Sequence, residues 1–318
     1  MTEALYGADG FYRGARVPSA HFRTSAHIGT GLADALLTLA ARVDAQLGEP
    51  TAFEICDIGA GGGELLAAMY ERAGRVVPRL APRLRLIGID IAASSPDLPA
   101  DIEWLTEVPT VTGLLIANEW LDNVPLDIAV TPGGSVQLLQ VDGAGNERPG
   151  PPIGRLDRAW LDTWGPAGAS RAEIGRTRDT AWSLAVSRVT RGAALAIDYA
   201  GDGTASLTGF RLGRELPAVP DGTCDLTAHV VFASVAAAGA AVASSEPLLL
   251  TQRDALLALG LDMRRPPETL AADDPRAYVA ALAALSRHAA LVDPAGLGGF
   301  RWLLQPVGIS SPLDHGQH

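Results

Sequence analysis

Phe53-Glu54-Ile55-Cys56-Asp57-Ile58-Gly59-Ala60-Gly61-Gly62-Gly63-Glu64 is the stretch that decides the fold. A short apolar run leads into an acidic residue and three alternating glycines, and a helical pattern opens at Glu64. Strand, tight glycine turn and helix in that order let the backbone approach a ligand without Cβ clashes, and the helix start offers unpaired N–H groups. The dinucleotide spacing G-x-G-x-x-G would need its third glycine at position 64, where Glu64 stands. The pyrophosphate fingerprint is therefore not satisfied.

Outward from the turn, residues 84–89, 102–105 and 114–117 follow 53–58 as further apolar strands, with a helix at 64–73. Short buried strands alternating with helices predict an α/β fold whose sheet is covered on both faces. The alternation breaks at 128–130 and 136–141, two strand-like runs flanking Pro132-Gly133-Gly134, which predict an inserted hairpin with a second turn at 142–146 and a close at Gly150-Pro151-Pro152. A mostly helical region fills 155–190, a fifth strand 193–197 ends at Asp198, and a glycine-rich loop runs to Asp225. Helices near 228–238, 252–259 and 275–291 and strands near 241–250 and 300–307 complete a sheet of seven strands. Upstream, 1–27 is an irregular arm with Tyr6, Phe11 and Tyr12, followed by a helix at 28–47. The expected organisation is an arm and helix (1–50) covering the ligand site, a core from 51–127 and 192–318, and an inserted region at 128–191.

With 47% hydrophobic and 19% charged residues, the 318-residue chain has ample material for a core. Its 25 Lys and Arg against 36 Asp and Glu leave a formal charge of −11, which opposes general phosphate binding and argues against a nucleic-acid partner. Two cysteines, Cys56 and Cys224, make neither a disulfide framework nor a metal site. No apolar run approaches the ~18 residues of a membrane span, so a cytoplasmic location without membrane attachment is expected.

Asp57 opens the turn and Asp90 ends the next strand, where a carboxylate can accept both hydroxyls of a ribose. Together they suit a nucleoside whose tail carries an amine and a carboxylate, namely S-adenosylmethionine. Past the fourth strand stands Asn118-Glu119-Trp120-Leu121-Asp122-Asn123-Val124-Pro125, at the sheet edge where α/β proteins bind ligands. If a helical turn forms there, Glu119 and Asp122 can face one ligand, and a carboxylate pair suits a guanidinium. The alternative is a helix N-cap by Asn118 or Asp122 with Glu119 solvated. Cys224-Asp225-Leu226-Thr227-Ala228-His229 precedes a predicted helix, with Asp225 or Thr227 as caps and His229 as a base, an orienting group or a structural residue. The histidines lack metal-ligand spacing, so no metal is predicted. No serine elbow, phosphate loop or Cys–His pair suggests a covalent intermediate.

Taken in order, His21-Phe22-Arg23-Thr24-Ser25, Asp57 to Gly63, Ala117 to Pro125, Ile197-Asp198-Tyr199, Asp225 to Val230 and Thr251-Gln252 resemble the MidA family of S-adenosylmethionine-dependent methyltransferases. That family includes the mitochondrial arginine methyltransferase needed for complex I assembly. The resemblance implies a class I methyltransferase sheet of Rossmann-like type with an added substrate-side region. Asp57, Gly59, Ala60, Gly61 and Gly63 would hold the methionine end, Asp90 and Ile91 the ribose, and Trp104 the adenine border, with Asn118, Thr24 and Ser25 completing the cofactor set. Glu119, Asp122 and His229 are the catalytic candidates. After Ser25 the chain continues Ala26-His27 where the family commonly has proline and an acidic residue, and the turn lacks the family's Pro-Gly-Arg character. The expected reaction is N-methylation of arginine in a protein substrate. A small-molecule acceptor and a catalytically silent assembly factor are the alternatives, and a homodimer is left open.

Overall fold

A computed structural model describes residues 1–13 and 29–313. Helices α1 (Thr2–Tyr6) and α2 (Gly31–Leu47) precede β1 (Phe53–Ile58), α3 (Glu64–Val76), β2 (Leu84–Ile89), β3 (Glu103–Leu105) and β4 (Val111–Asn118). Next come β5 (Asp127–Val130), β6 (Gln137–Val141), β7 (Glu147–Pro152), α4 (Arg155–Trp164), β8 (Arg171–Ile174), α5 (Arg176–Ser187) and β9 (Val189–Asp198). The remainder holds β10 (Thr208–Arg211), β11 (Arg214–Leu216), β12 (Asp225–Thr227), α6 (Phe232–Ala243), β13 (Leu248–Thr251), α7 (Gln252–Ala258), α8 (Glu268–Asp273), α9 (Pro275–Val292) and β14 (Arg301–Val307). His21 to Ser25 lie outside the described residues.

Seven strands form the main sheet in the order β3-β2-β1-β4-β9-β14-β13. β14 runs antiparallel to both of its neighbours and the other pairings are parallel. This is the class I methyltransferase arrangement. Side chains alternate across it: Phe53, Leu114 and Leu195 pack under α2 and α3, while Cys56, Leu115 and Ala196 pack against Trp182 and Val186 of α5 and Phe232 and Val235 of α6. Both faces are dry, which is why the strands read as near-continuous apolar runs. In the centre, Glu54, Gly113 and Gly192 stand in register on adjacent strands. Gly113 has φ +148°, and a Cβ there would sit 2.1 Å from the Glu54 carbonyl oxygen, so only glycine admits this approach.

The inserted region departs from the expected hairpin. β5 and β6 do pair antiparallel, yet the sheet has four strands, in the order β7-β6-β5-β8. Pro149, Pro151 and Pro152 lie on β7 at the sheet edge, the position where a residue without an N–H is tolerated. The glycine-rich loop likewise contains a small sheet, β11-β10-β12. Asp225 and Thr227 belong to β12, so neither caps a helix; α6 begins at Phe232, after Val231.

Chain direction places the site. From β1 the chain moves outward to β2 and β3, then returns to β4 on the other side of β1. The carboxyl ends of β1 and β4 thus flank a topological switch point, where a crevice opens.

Candidate active site

At the end of β1 the backbone turns through positive φ at Gly59 (70°), Gly61 (59°) and Gly63 (89°). The N–H groups of Gly59 and Ala60 donate to the Ile89 carbonyl at 2.8 and 3.3 Å, pinning the turn to β2. Asp90 Oδ2 accepts from Gly61 N at 2.9 Å and Oδ1 from Ala92 N at 2.8 Å. Glu64 folds back so that Oε2 accepts from Gly62 N at 3.1 Å. The residue standing where a dinucleotide turn needs glycine therefore puts a carboxylate over the turn. Asp57 is buried beneath it, and burial, then Asp90, then Glu64 push its carboxyl up to about 8. Three acidic groups around one turn repel a pyrophosphate and suit a cation.

The second group starts where β4 ends. Glu119 takes φ +52° while its N–H donates to the Ile197 carbonyl of β9 at 2.8 Å. Asn118 Nδ2 donates to Glu119 Oε1 at 3.3 Å. A single 3-10 turn, Leu121–Asn123, follows, and no side chain caps it. The indole of Trp120 lies against the glycine turn: a Cβ on Gly59 would meet its Cδ1 at 2.8 Å. Asp122 is 4% exposed, its N–H donates to Asp198 Oδ2 at 3.1 Å, and its own Oδ1 has no hydrogen-bond partner among the described residues. Burial first, then the charges of Asp198, Asp225 and Glu119, raise its carboxyl well above the ordinary range, and burial raises Asp198 as well.

Arg178 of α5 is buried nearby but does not neutralise this pair by direct contact. Its guanidinium donates to the carbonyls of Asp122 (2.5 Å), His229 (2.7 Å), Ala228 (2.9 Å) and Val124 (3.2 Å). Its donors are thus spent on holding two loops together, and desolvation of the carboxyls prevails.

A third wall comes from the N-terminal arm. Tyr12 Oη donates to Asp225 Oδ1 at 2.8 Å, an oxygen that also accepts from Asn123 Nδ2 at 3.0 Å. Tyr6 Oη donates to the Asn123 carbonyl at 3.1 Å, and the two rings stack with centroids 5.5 Å apart. Burial carries the Asp225 carboxyl up to about 6 against the opposing Tyr12 bond.

These groups line one cavity of about 380 Å³. On its walls lie nine of the residues singled out from sequence: Asp57, Gly59, Ala60, Gly61, Asp90, Ile91, Asn118, Glu119 and Asp122. Gly63 and Trp104 stand behind it, the indole ring over Gly88 and Gly63 and its Nε1 donating to the Ala92 carbonyl at 3.0 Å. The wall on that side is made instead by Ile91, Thr106 and Val108. His229 is also outside: it is exposed, its N–H donates to Ser206 Oγ at 2.8 Å, and its ring stacks on Tyr199. Thr24 and Ser25 lie outside the described residues. Sequence reasoning missed Tyr6, Tyr12 and Phe210 as lining residues. The aromatic pair in a glycine-rich arm without helical periodicity was the available signal. Among the described residues no group of His, Cys, Asp or Glu could hold a metal ion.

The cavity suits S-adenosylmethionine. A Cβ at Gly59 would push into Trp120, the carboxyl groups of Asp57, Glu64 and Asp90 surround the glycine turn, and Asp90 is held by two backbone N–H groups at the end of β2. A family model described as "Putative S-adenosyl-L-methionine-dependent methyltransferase" matches residues 37–249, more than half of the chain. A superfamily member from Burkholderia thailandensis, crystallised with S-adenosyl-homocysteine, superposes with a TM-score of 0.79 at 22% identity, covering 99% of this chain and 89% of that one. A native crystal structure of a protein of the same superfamily and organism gives 0.78 at 22% identity, covering 99% and 88%. At that identity the two structures establish the fold. No curated protein matches. The family match, joined to the order of motifs around the cavity, places this chain in the MidA family of S-adenosylmethionine-dependent methyltransferases, with S-adenosylmethionine as its cofactor.

Proposed function

We propose that the enzyme methylates a guanidinium nitrogen of arginine in a protein substrate. The observation that carries this reading is the meeting of Glu119, Asp122 and Asp225 on the lining of the cavity that the glycine turn also lines, with Asp122 buried and its Oδ1 without a partner among the described residues. A buried carboxyl in that state calls for a donor from a ligand, and a guanidinium brings several in a planar fork. Asp57 and the glycine turn, whose backbone a ligand can approach without Cβ clashes, would hold the methionine end of the cofactor, Asp90 the ribose, and Ile91, Thr106 and Val108 the adenine.

When bound, the cofactor supplies a methyl group on a positively charged sulfur. The chain's own work is alignment and proton handling. Glu119 and Asp122 hold the guanidinium so that one nitrogen points at the methyl carbon. As the new N–C bond forms and the C–S bond breaks, that nitrogen must shed a proton, and the raised affinity of Asp122 for a proton suits it to accept one.

The test is incubation with methyl-labelled cofactor and a lysate from the source cells, followed by hydrolysis of the protein fraction. Label in methylarginine supports the reading; label confined to small molecules, or to lysine, overturns it. Glu119→Gln should abolish transfer with cofactor affinity nearly unchanged, and unchanged turnover would remove Glu119 from the acceptor site.

A further inference from the structure

The acidic wall does not stand alone. Tyr6 and Tyr12 line the same cavity, stacked on each other at 5.5 Å with an interplanar angle of 26°. Both hydroxyls are committed, Tyr12 to the Asp225 carboxylate and Tyr6 to the Asn123 carbonyl, so the rings are fixed rather than free to swing. Leu5 and Phe11, buried against Cys224 and Leu226, anchor the arm on β12 from behind. Phe210 of β10 adds a further aromatic group, and Asp122, bonded through its N–H to Asp198, lines the same cavity with its Oδ1 lacking a partner among the described residues.

We propose that Tyr6 and Tyr12 are specificity-determining residues, which with Asp122 and Asp225 form an aromatic and carboxylate box that recognises the acceptor as a planar cation. This deepens the guanidinium reading above and rests on it. Carboxylates alone attract any cation, an ammonium as readily as a guanidinium. Aromatic walls add a preference for a flat, weakly hydrated, delocalised charge, which stacks on a ring and gives up water at lower cost than a compact ammonium. Because the hydroxyls are used to hold Asn123 and Asp225, each tyrosine serves twice: the oxygen sets the position of the acidic loops and the ring faces the acceptor's charge. The arm thereby carries recognition, although it lies far in sequence from the motifs of the cofactor site.

The test is a binding measurement by calorimetry on the full chain saturated with S-adenosylhomocysteine. The probes are acetyl-arginine methylamide and acetyl-citrulline methylamide, a neutral analogue of the same shape. The wild-type chain is expected to favour the arginine probe by at least about tenfold. Tyr6→Leu and Tyr12→Leu should weaken the arginine probe by on the order of tenfold, with S-adenosylhomocysteine affinity unchanged as the sign of an intact fold. Tyr6→Phe, which keeps the ring, should stay within about threefold of wild type. Leucine variants that bind both probes like wild type overturn this proposal and leave the guanidinium reading standing. Equal weakening of both probes overturns it too, since a purely structural role has that effect. Failure of the arginine probe to bind the wild-type chain overturns the guanidinium reading itself, and this inference with it.

Discussion

Asp122 donates its backbone N–H to Oδ2 of Asp198 at 3.1 Å, so the turn after β4 is fastened to the last residue of β9 by one carboxylate. The two side chains are buried close enough for the Asp198 charge to raise the Asp122 carboxyl. Replacing Asp122 with Asn removes a charge that the ligand-free protein holds at a cost. Because the native carboxyl already keeps its proton in acid, the gain should be largest at high pH. A rise in melting temperature of about 2–4 °C at pH 8, shrinking by pH 5, is expected, together with a loss of turnover on the order of 100-fold. A lower melting temperature at pH 8 would contradict this account.

Cofactor binding should depend on pH through Asp57. Its carboxyl lies near 8 in the native protein against an ordinary value of 3.8. Between those values the native state holds a proton that the unfolded chain has lost, so the stability of the ligand-free protein falls as pH rises through this window and levels above it. An ammonium beside Asp57 favours the ionised form, so affinity for the cofactor should rise with pH, by at most about tenfold per unit, and flatten above pH 8. Titrations in buffers of different ionisation enthalpy would detect the released proton. Asp57→Asn should remove both the proton and the slope.

Gly59 and Gly74, near in sequence, should respond oppositely to alanine. At Gly59 the φ of 70° and the Trp120 Cδ1 only 2.8 Å from a new Cβ make Gly59→Ala both strained and obstructed. A loss of cofactor affinity of at least about tenfold is expected. Gly74 sits exposed in α3 with nothing within 4 Å of a Cβ, so Gly74→Ala should stabilise the fold by about 0.5–1 kcal/mol. Chemical denaturation of the pair separates the two effects.

Arg178 binds four backbone carbonyls from the loops at 122–124 and 228–229. Arg178→Met would take a donor from each of these carbonyls, of which that of Asp122 keeps the Ala228 N–H at 3.1 Å, and would remove the positive charge that opposes the Asp122 shift. A destabilisation of roughly 3–5 kcal/mol is expected, read as a lowered denaturation midpoint. Arg178→Lys, with fewer donors and no planar fork, should recover only part of it.

The sequence by itself determined the sheet and the glycine-turn end of the cavity. Residues 53–58 and 84–89 were legible as strands because both sheet faces are buried, and Asp57 and Asp90 sit at the strand ends where backbone geometry alone aims them at the crevice. Glu64 excluded a dinucleotide from its position in the turn. Only the tertiary structure decided the end lined by Tyr6, Tyr12 and Asp225. β7, β8 and β10–β12 are only three to six residues long, too short for an apolar period to announce them, and β7 carries three prolines. Trp104 and His229, attractive from their place in the chain, turn away because indole packing on Gly88 and stacking on Tyr199 hold them elsewhere. Tyr6 and Tyr12 enter for the converse reason: their hydrogen bonds to Asn123 and Asp225 span more than a hundred residues, and contacts at that range are fixed by packing, not by local pattern.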